Sequence, residues 1–327
     1  MFKKTFLSLF IIAIASCHVP SGPADSTIYK RFSSLDSSMQ DVNAYVLLCI
    51  ENDSVYTKTY GQNSNGQALN SETIFEGASL SKTVFAYLFW LLRKDFPELR
   101  RPLHLKDCDS HSVYLNPLHF LRHAVSSTDS CVINSESDSF KYSENNYLLL
   151  QKYVEKICGK SLEELAFTYV FKPLKMNNSS FIWQPKFDNN YVNGYFENHK
   201  MHRSIRKSQV AQSNGTLFTC AKDIAIFAKA LLKSDVSDSI LTHEIKVHNY
   251  KHLSWGNGMG IDRSTKSPLL WQWGCNWSYN HIMLIEKQNK LIFIGLTNSI
   301  IGAKRLRNTC NTLFDSNLDL FNYINWY

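Results

Sequence analysis

The 327-residue sequence is poor in glycine and proline, with 13 and 8 residues, and only 19% of it is charged. This composition excludes a collagen-like, coiled-coil or broadly disordered chain and is ordinary for a globular enzyme. Long runs of like charge are also missing, and the formal net charge is only +7. We therefore expect a solvated, mildly basic surface and no nucleic acid partner.

The eight cysteines contain no Cys-x-x-Cys pair. A zinc ribbon or a small disulfide scaffold is therefore not expected. Close histidine pairs such as His119 and His123 have no acidic residue at a known zinc-binding spacing, which favours core or surface histidines. The sequence thus predicts neither a metal nor another cofactor.

The N-terminus has the pattern of a bacterial lipoprotein signal. Lys3 and Lys4 precede a short apolar run, Phe6 to Ile14. This run is shorter than the roughly 20 residues that a membrane-spanning helix needs, so it is typical of a cleaved signal peptide. It ends in Ala15-Ser16-Cys17, which resembles the lipobox, in which the cysteine carries the lipid. A plain secretory signal is the alternative.

These features predict the organisation of the chain. We expect a lipoprotein signal peptide over 1–17 with lipidation at Cys17, a flexible tether over 18–38, and one folded domain over 39–327. The predicted location is the bacterial cell envelope, where the N-terminal lipid would anchor the protein to a membrane.

The strand pattern places one β-hairpin near each end of the domain. Ala44 to Ile50 pairs with Val55 to Tyr60, and His281 to Glu286 pairs with Leu291 to Leu296. Between the hairpins the apolar spacing is mostly helical, and Ser79 to Lys94 is the most apolar helix. We therefore predict an α/β (α+β) fold, in which the N- and C-terminal strands form one antiparallel sheet flanked by helices, with an inserted, mainly helical lobe.

Three further helices are predicted. Ser161 and Glu164 have the spacing of a capping box, which marks a helix start. Ala221 to Leu232 is amphipathic, and the segment from about Ala303 to Asn322 has helical spacing.

Ser79-Leu80-Ser81-Lys82 is one of two Ser-x-x-Lys patterns in the chain. Ser79 opens the most apolar helix, where backbone N–H groups favour a developing negative charge. Lys82 follows one turn later, and an apolar setting lowers the proton affinity of a lysine, as a general base requires. The alternative is a helix N-cap at Ser79 with Lys82 extending to solvent. The second pattern, Ser204 and Lys207, lies in a basic, polar stretch and is predicted to be surface.

Five segments, in order, resemble the serine β-lactamase-related hydrolases, which include class C β-lactamases, low-molecular-weight penicillin-binding proteins and esterases. The resemblance extends from about residue 40 to residue 325 and implies the β-lactamase/DD-peptidase-like fold. The segments are Ile74 to Thr83, Tyr142 to Leu149, Pro173 to Met176 with Ser179 to Phe181, Asn214 to Ile224, and Ile294 to Asn298.

The resemblance implies a role for each matched residue. Ser79 would be the nucleophile that forms an acyl-enzyme, and Lys82 the base that accepts its proton. Tyr142 would pass the proton to the leaving group, although it could instead be a core aromatic residue. The backbone N–H groups of Ser79 and Cys275 would form the oxyanion hole.

The third motif of the family is altered in Gln272-Trp273-Gly274. Neutral Gln272 stands where the family has a cation that often holds a substrate carboxylate. Glu144 is a second departure, since an anion there would repel an acidic substrate and raise the proton affinity of Lys82. We assign Glu144, Gln272, Trp273 and Gly274 to substrate binding; alternatively, Gln272 and Trp273 are strand residues beside the site.

The sequence thus predicts an exported, lipid-anchored serine hydrolase of esterase or amidase type. Its substrate would be a small-molecule or cell-envelope ester or amide without an essential carboxylate. The alternatives are a peptidoglycan DD-peptidase or β-lactamase, and a catalytically inactive surface lipoprotein that only binds. Trp271, Trp273 and Trp277 would line an apolar acyl pocket or pack at a sheet edge.

Overall fold

The computed structural model describes residues 26–128, 131–134, 140–197 and 199–324. The predicted signal peptide over 1–17, with Cys17, and the first part of the predicted tether lie outside these residues. Within them, every helix is too short or too polar to cross a bilayer.

Most of the strands are short, and the long ones lie near the two ends of the chain. The strands are β1 (Tyr45–Glu51), β2 (Ser54–Tyr60), β3 (Phe75–Glu76), β4 (Leu103–Lys106), β5 (Ser112–Leu115), β6 (Ser126–Ser127), β7 (Val132–Asn134), β8 (Gly194–Tyr195), β9 (Met201–Arg203), β10 (Phe218–Thr219), β11 (Ile245–Lys246), β12 (Leu253–Trp255), β13 (Gly260–Asp262), β14 (Leu269–Asn276), β15 (Tyr279–Glu286) and β16 (Leu291–Thr297).

Helices fill most of the chain between the terminal strands. The α-helices are α1 (Thr27–Ser33), α2 (Leu80–Asp95), α3 (Pro117–Leu121), α4 (Glu144–Cys158), α5 (Leu162–Ala166), α6 (Lys172–Leu174), α7 (Ala221–Lys233), α8 (Asp235–Thr242), α9 (Gly302–Phe314) and α10 (Leu320–Tyr323). Short 3-10 helices span Leu35–Met39, Pro97–Arg100 and Pro185–Asn189, and a π-helix spans Phe167–Phe171.

One antiparallel sheet of eight strands organises the domain, in the order β11-β12-β13-β14-β15-β16-β1-β2. Strand β1 pairs with β16 from Tyr45 opposite Thr297 to Glu51 opposite Leu291. The two ends of the chain therefore meet inside one sheet. The predicted fold and both predicted hairpins are confirmed.

Both faces of the sheet are covered, because alternate residues of a strand point to opposite faces. Val46 and Leu48 of β1 belong to the apolar core that includes Phe227 of α7. Leu47 and Cys49 belong to the core on the other face, which includes Leu306 of α9. Burial on both faces explains why β1 reads as a continuous apolar run rather than an alternating one.

The predicted tether is wrong from residue 26 onward. Residues 27–39 form α1 and a 3-10 helix, and Phe32, Leu35 and Met39 are buried in the same core as Leu306 and Leu313 of α9. Their helical spacing provides an apolar face that covers α9, so this segment is part of the domain.

The predicted C-terminal helix is divided in two. Helix α9 ends at Phe314 because Asp315 takes a left-handed conformation, with φ of 52°. The chain turns there, and the short helix α10 follows. The capping box at the start of α5 is confirmed: the Ser161 hydroxyl accepts from the Glu164 N–H, and the Ser161 N–H donates to the Glu164 carboxylate.

The inserted lobe contains small hairpins that the sequence did not reveal: β4–β5, β6–β7 and β8–β9. A disulfide joins Cys108 to Cys131 and thus links the β4–β5 turn to the β6–β7 turn. The free cysteines of the described residues are Cys49, Cys158, Cys220, Cys275 and Cys310.

Candidate active site

A strained turn places Ser79 at the start of α2. Glu76 pairs with Phe218, and the Gly77 N–H donates to the Leu217 carbonyl oxygen at 2.7 Å. These bonds fix the backbone so that Ala78 adopts a positive φ of 46°, which is unfavourable for a residue with a side chain. Ser79 follows at once, largely buried but lining a cavity.

The Lys82 ammonium donates to the Ser79 hydroxyl at 2.8 Å and to the Asn214 carbonyl oxygen at 2.7 Å. Lys82 is fully buried, so its side chain does not extend to solvent. The Ser79 hydroxyl makes no capping bond to a backbone N–H. The geometry therefore disagrees with a simple N-cap and matches a serine paired with a lysine.

Burial lowers the pKa of Lys82 to about 8, because the charged form is poorly solvated inside the protein. The Glu144 carboxylate, whose Oε1 lies 3.8 Å from the Lys82 Nζ, acts in the opposite direction and raises this pKa. Both expected influences are present, and burial is the stronger one. Near neutral pH Lys82 is thus still mostly protonated, but its neutral fraction, which is able to accept a proton, is far larger than that of an ordinary lysine.

Tyr142 lies over this pair, in the coil just before α4. The Lys82 Nζ is 5.1 Å from the centre of its ring. The ring stacks on His123 with centroids 4.3 Å apart and contacts Trp273 at 4.7 Å. Tyr142 is thus held between two aromatic side chains, with its ring against the proposed base.

The Tyr142 hydroxyl is buried beside the Ser79 and Gln272 side chains, which lie close enough to act on its pKa, but it makes no hydrogen bond of normal geometry among the described residues. Burial raises the pKa of this phenol, so the group is neutral and keeps its proton. An unpaired polar group in the interior is uncommon and is typical of functional sites. The hydroxyl is therefore available to a group that enters beside Ser79.

His123 is a site residue that sequence reasoning assigned only to the core or surface. It is buried with a φ of 55°, and its Nδ1 accepts from the Ser143 N–H at 3.0 Å. Its carbonyl oxygen accepts from the Lys141 N–H at 3.0 Å. Burial holds the pKa of His123 well below its usual range, so the ring is neutral. His123 fixes the chain on both sides of Tyr142.

Strand β14 forms the opposite edge of the site. Its neighbour β13 pairs only as far as Trp271, which leaves the following residues unpaired on that side. Cys275 and Asn276 line the cavity together with Ser79. Gly274 approaches the nucleophile turn so closely that an added Cβ would lie 2.5 Å from the Gly77 carbonyl oxygen.

Gln272, Trp273 and Gly274 lie outside the lining of the cavity, so their assignment to substrate binding stays a prediction. Gln272 is fully buried, and its Nε2 donates to the Trp273 carbonyl oxygen at 2.8 Å. Trp273 packs against Trp271 and Tyr142, so it supports the site from behind. Trp277 is exposed, and the acyl pocket considered for the three tryptophans is not formed by them.

The cavity in front of Ser79 has a volume of about 340 Å³. Two carboxylates and one guanidinium are part of its wall, and the remaining lining is mostly polar or small, with Leu217 and Phe218 as its larger apolar residues. The lining residues are Glu76, Ala78, Ser79, Glu144, Arg206, Ser208, Gln212, Asn214, Gly215, Thr216, Leu217, Phe218, Cys275 and Asn276.

Glu76 is a buried site residue that sequence reasoning missed. Its two oxygens accept from Arg203 at 2.7 and 2.8 Å, and further bonds come from the Arg206 N–H and the Asn276 side chain. This network joins the nucleophile turn, the segment after β9 and the end of β14. A glutamate inside an apolar strand was the available signal, because a buried carboxylate requires a partner.

One group among the described residues has the arrangement of a metal site: Asp107, Asp109 and His111. It lies in the β4–β5 turn, outside the cavity. Asp107 Oδ1 already accepts from the N–H groups of Asp109 and His111, so the cluster stabilises the turn.

A sequence model of the beta-lactamase family matches residues 134–308, more than half of the chain. The chain belongs to the beta-lactamase family. It is a serine hydrolase of that family. The matched residues include Tyr142 and Gly274 but do not reach Ser79 and Lys82.

Solved structures share the fold of this beta-lactamase-family protein at low sequence identity. D-amino acid amidase from Ochrobactrum anthropi SV3 is 15% identical with a TM-score of 0.74, over 91% of this chain and 99% of that one. Beta-lactamase/D-alanine carboxypeptidase from Pseudomonas syringae is 12% identical with a TM-score of 0.75, over 89% and 99%. EstCE1, a hydrolase with promiscuous acyltransferase activity, is 14% identical with a TM-score of 0.70, over 90% and 99%.

A curated relative matches over a short segment. Teichoic acid D-alanine hydrolase from Staphylococcus aureus (strain MRSA252) is 37% identical over 57 residues, which are 17% of this chain. The matched segment spans only 14% of that protein.

Proposed function

We propose that this protein is an exported esterase or amidase that acts through an acyl-enzyme on Ser79. The observation that carries the proposal is the 2.8 Å hydrogen bond between the buried Lys82 ammonium and the Ser79 hydroxyl. Solved structures of the same fold are named as a D-amino acid amidase, a beta-lactamase/D-alanine carboxypeptidase and a hydrolase with promiscuous acyltransferase activity, which agrees with an acyl-transfer reaction.

The reaction begins when neutral Lys82 accepts the proton of the Ser79 hydroxyl while the oxygen attacks the substrate carbonyl carbon. The carbonyl π electrons move to the oxygen, which the backbone N–H groups of Ser79 and Cys275 stabilise. When the oxyanion collapses, the bond to the leaving group breaks. Tyr142 donates a proton to the leaving group and regains one from Lys82. A water molecule then releases the acyl group by the reverse sequence.

The cavity supports a substrate without an essential carboxylate. The cation in its wall is Arg206, whose Nε lies 3.5 Å from the Glu76 carboxylate, and this carboxylate already pairs with Arg203. Gln272 supplies no charge and is enclosed. A substrate anion would therefore meet a guanidinium that is already shared with Glu76.

A fluorophosphonate probe and a panel of p-nitrophenyl esters test this function. Wild type should be labelled at Ser79, located by mass spectrometry, and Ser79→Ala should show neither labelling nor hydrolysis. Ser204→Ala is the matched control, because Ser204 begins the second Ser-x-x-Lys pattern and is exposed outside the cavity. Equal signal from wild type and Ser79→Ala would exclude the assignment.

Adding a fluorescent penicillin to this set of probes separates the two alternatives. Covalent labelling of Ser79 by a fluorescent penicillin, without ester hydrolysis, would favour a DD-peptidase or β-lactamase. No adduct with any probe, while small molecules still bind, would favour an inactive binding protein.

Export and lipidation form a second part of the proposal. The signal-like sequence over 1–17 motivates it, and the Cys108–Cys131 disulfide is consistent with an oxidising compartment outside the cytosol. Expression in bacteria fed an alkyne-labelled fatty acid should give a labelled, membrane-associated product, and Cys17→Ala should abolish the label. Labelling that persists in Cys17→Ala would contradict the lipid assignment.

A further inference from the structure

Glu144 is the carboxylate of the cavity that retains free hydrogen-bonding capacity. It is the first residue of α4, and its side chain is 63% exposed. Among the described residues its ion-pair partner is Lys82, at 3.8 Å, and the Lys82 ammonium directs shorter bonds to Ser79 and Asn214. Glu76, the other carboxylate of the wall, is saturated by two arginines and Asn276.

The position of Glu144 relative to the nucleophile limits what it can bind. The Lys82 Nζ lies 2.8 Å from the Ser79 Oγ and 3.8 Å from the Glu144 Oε1, so these two oxygens are at most about 6.6 Å apart. A carbonyl carbon poised for attack lies about 3 Å from the serine oxygen. An amino group on the adjacent carbon is roughly 2.5 Å from that carbonyl carbon. An ammonium hydrogen bond to a carboxylate adds about 2.8 Å.

The sum of these three lengths is greater than the largest possible distance between the Ser79 Oγ and the Glu144 Oε1. A substrate with an amino group on the carbon next to its carbonyl can therefore span the two oxygens in a bent conformation. An amine on the carbon next to the scissile carbonyl therefore reaches Glu144 while the carbonyl lies at Ser79. We propose that the substrate is an ester or amide of an amino acid with a free, protonated α-amino group, and that Glu144 binds this ammonium. This inference rests on the proposed function.

The electrostatics of the cavity agree with this substrate class. A substrate ammonium satisfies the Glu144 carboxylate, whose ion-pair partner among the described residues is Lys82 at 3.8 Å. A positive charge beside Lys82 also disfavours the protonated lysine, which promotes the neutral form needed for attack. Substrate binding would then help to prepare the base. An acyl group that carries an anion instead would be repelled by Glu144.

The test uses the benzyl esters of alanine and of lactate, in both enantiomers, at pH 7.0, below the usual α-amino pKa of about 7.7 to 8.0. The two esters differ in one group: the alanine ester carries an ammonium where the lactate ester carries a hydroxyl. A hydrogen bond to a charged group is worth enough that wild type should favour the alanine ester by about tenfold or more in kcat/KM. Glu144→Gln should bring the ratio close to one.

The ratio within each variant cancels the effect of the Glu144 charge on Lys82 in the free enzyme, because both esters meet the same base. The further effect of a bound ammonium on Lys82 is part of the ratio and depends on that ammonium being held at Glu144. Glu72→Gln is the matched control, since Glu72 pairs with Lys222 on the surface, and it should keep the wild-type ratio. Fluorophosphonate labelling of Ser79 in each variant reports that the site is folded.

The outcomes separate this inference from the proposed function. Hydrolysis of both esters at equal rates by wild type, or an unchanged ratio in Glu144→Gln, would overturn the inference and leave the hydrolase intact. No hydrolysis and no labelling of Ser79 would overturn the function as well. If Ser79 is labelled but neither ester is hydrolysed, each ester is tested for its ability to protect Ser79 against labelling by the fluorophosphonate. Equal protection by both esters would overturn the inference. Selective protection by the alanine ester would support it.

Discussion

Gly274 of β14 faces the carbonyl oxygen of Gly77, and a Cβ on Gly274 would lie 2.5 Å from that oxygen. The two glycines thus set the distance between the proposed nucleophile turn and the strand that carries Cys275. Gly274→Ala should push the strand away from Ser79 and slow acylation by more than about tenfold, because a misplacement of 1 Å can cost about 100-fold. The rate of fluorophosphonate labelling measures the effect, and circular dichroism reports the fold.

Gly215→Ala adds a methyl group to the same cavity wall, where a Cβ would meet nothing within 4 Å. It should slow labelling far less than Gly274→Ala. Equal labelling rates in Gly274→Ala and wild type would contradict the proposed spacing role.

Tyr142→Phe should separate stability from turnover. The Tyr142 hydroxyl is buried and makes no hydrogen bond of normal geometry, although Ser79 and Gln272 lie close to it, so its removal should leave the free energy of unfolding within about 1 kcal/mol of wild type. Loss of the proton shuttle should lower ester turnover by about 100-fold or more. Urea denaturation and steady-state hydrolysis measure the two effects.

Tyr56→Phe is the matched control, since its hydroxyl is also buried and unpaired but lies in the core beneath α1, outside the cavity. It should stabilise the protein without loss of turnover. Full turnover in Tyr142→Phe would show that the phenol is not the shuttle.

The labelling rate should depend on pH through Lys82. Its pKa is lowered to about 8, so the lysine is protonated and inactive as a base at lower pH, and the rate should rise as the pH passes through about 8. Glu144→Gln removes a negative charge that raises this pKa, so the rise should move to lower pH. Glu72→Gln should leave the pH of this rise unchanged. A profile that is flat between pH 6 and 10 would argue against Lys82 as the base.

Reduction of the Cys108–Cys131 disulfide should destabilise the protein by about 3 kcal/mol, since the bond closes a loop with a sequence separation of 23. Urea denaturation with and without reductant measures this difference, and peptide mapping without reductant identifies the bond. A Cys108→Ser/Cys131→Ser variant should be insensitive to reductant. If reductant still lowers the free energy of unfolding of this variant, other cysteines are responsible for the effect.

Local sequence signals predicted much of the fold and the centre of the site. The two hairpins have strongly β-forming residues on both sides of short polar turns, so they could be located without tertiary information. Ser79 and Lys82 are three residues apart on one helix, which makes their contact a property of the helix itself. Phe32, Leu35 and Met39 also carried a helical signal, which the polar residues around them obscured.

Contacts between distant parts of the chain could not be predicted in the same way. Glu76 and Arg203 are separated by 127 residues, and neither has a local feature that identifies the other. The enclosure of Gln272 depends on how β14 packs behind Tyr142, which its motif does not encode. His123 supports Tyr142 through ring stacking and a backbone bond, and both exist only after α3 and α4 have packed together.

The pairing of β1 with β16 has a consequence for how the protein is made. The first long strand to leave the ribosome can pair at once with β2 on one edge, but its other edge must wait for a partner about 240 residues later in the chain. Closing so long a loop is entropically costly, and non-local sheets form slowly. Strand β14, which completes the cavity, is also synthesised late. The chain therefore has no assembled site until translation is almost finished, so we expect a product truncated before β14 to be inactive.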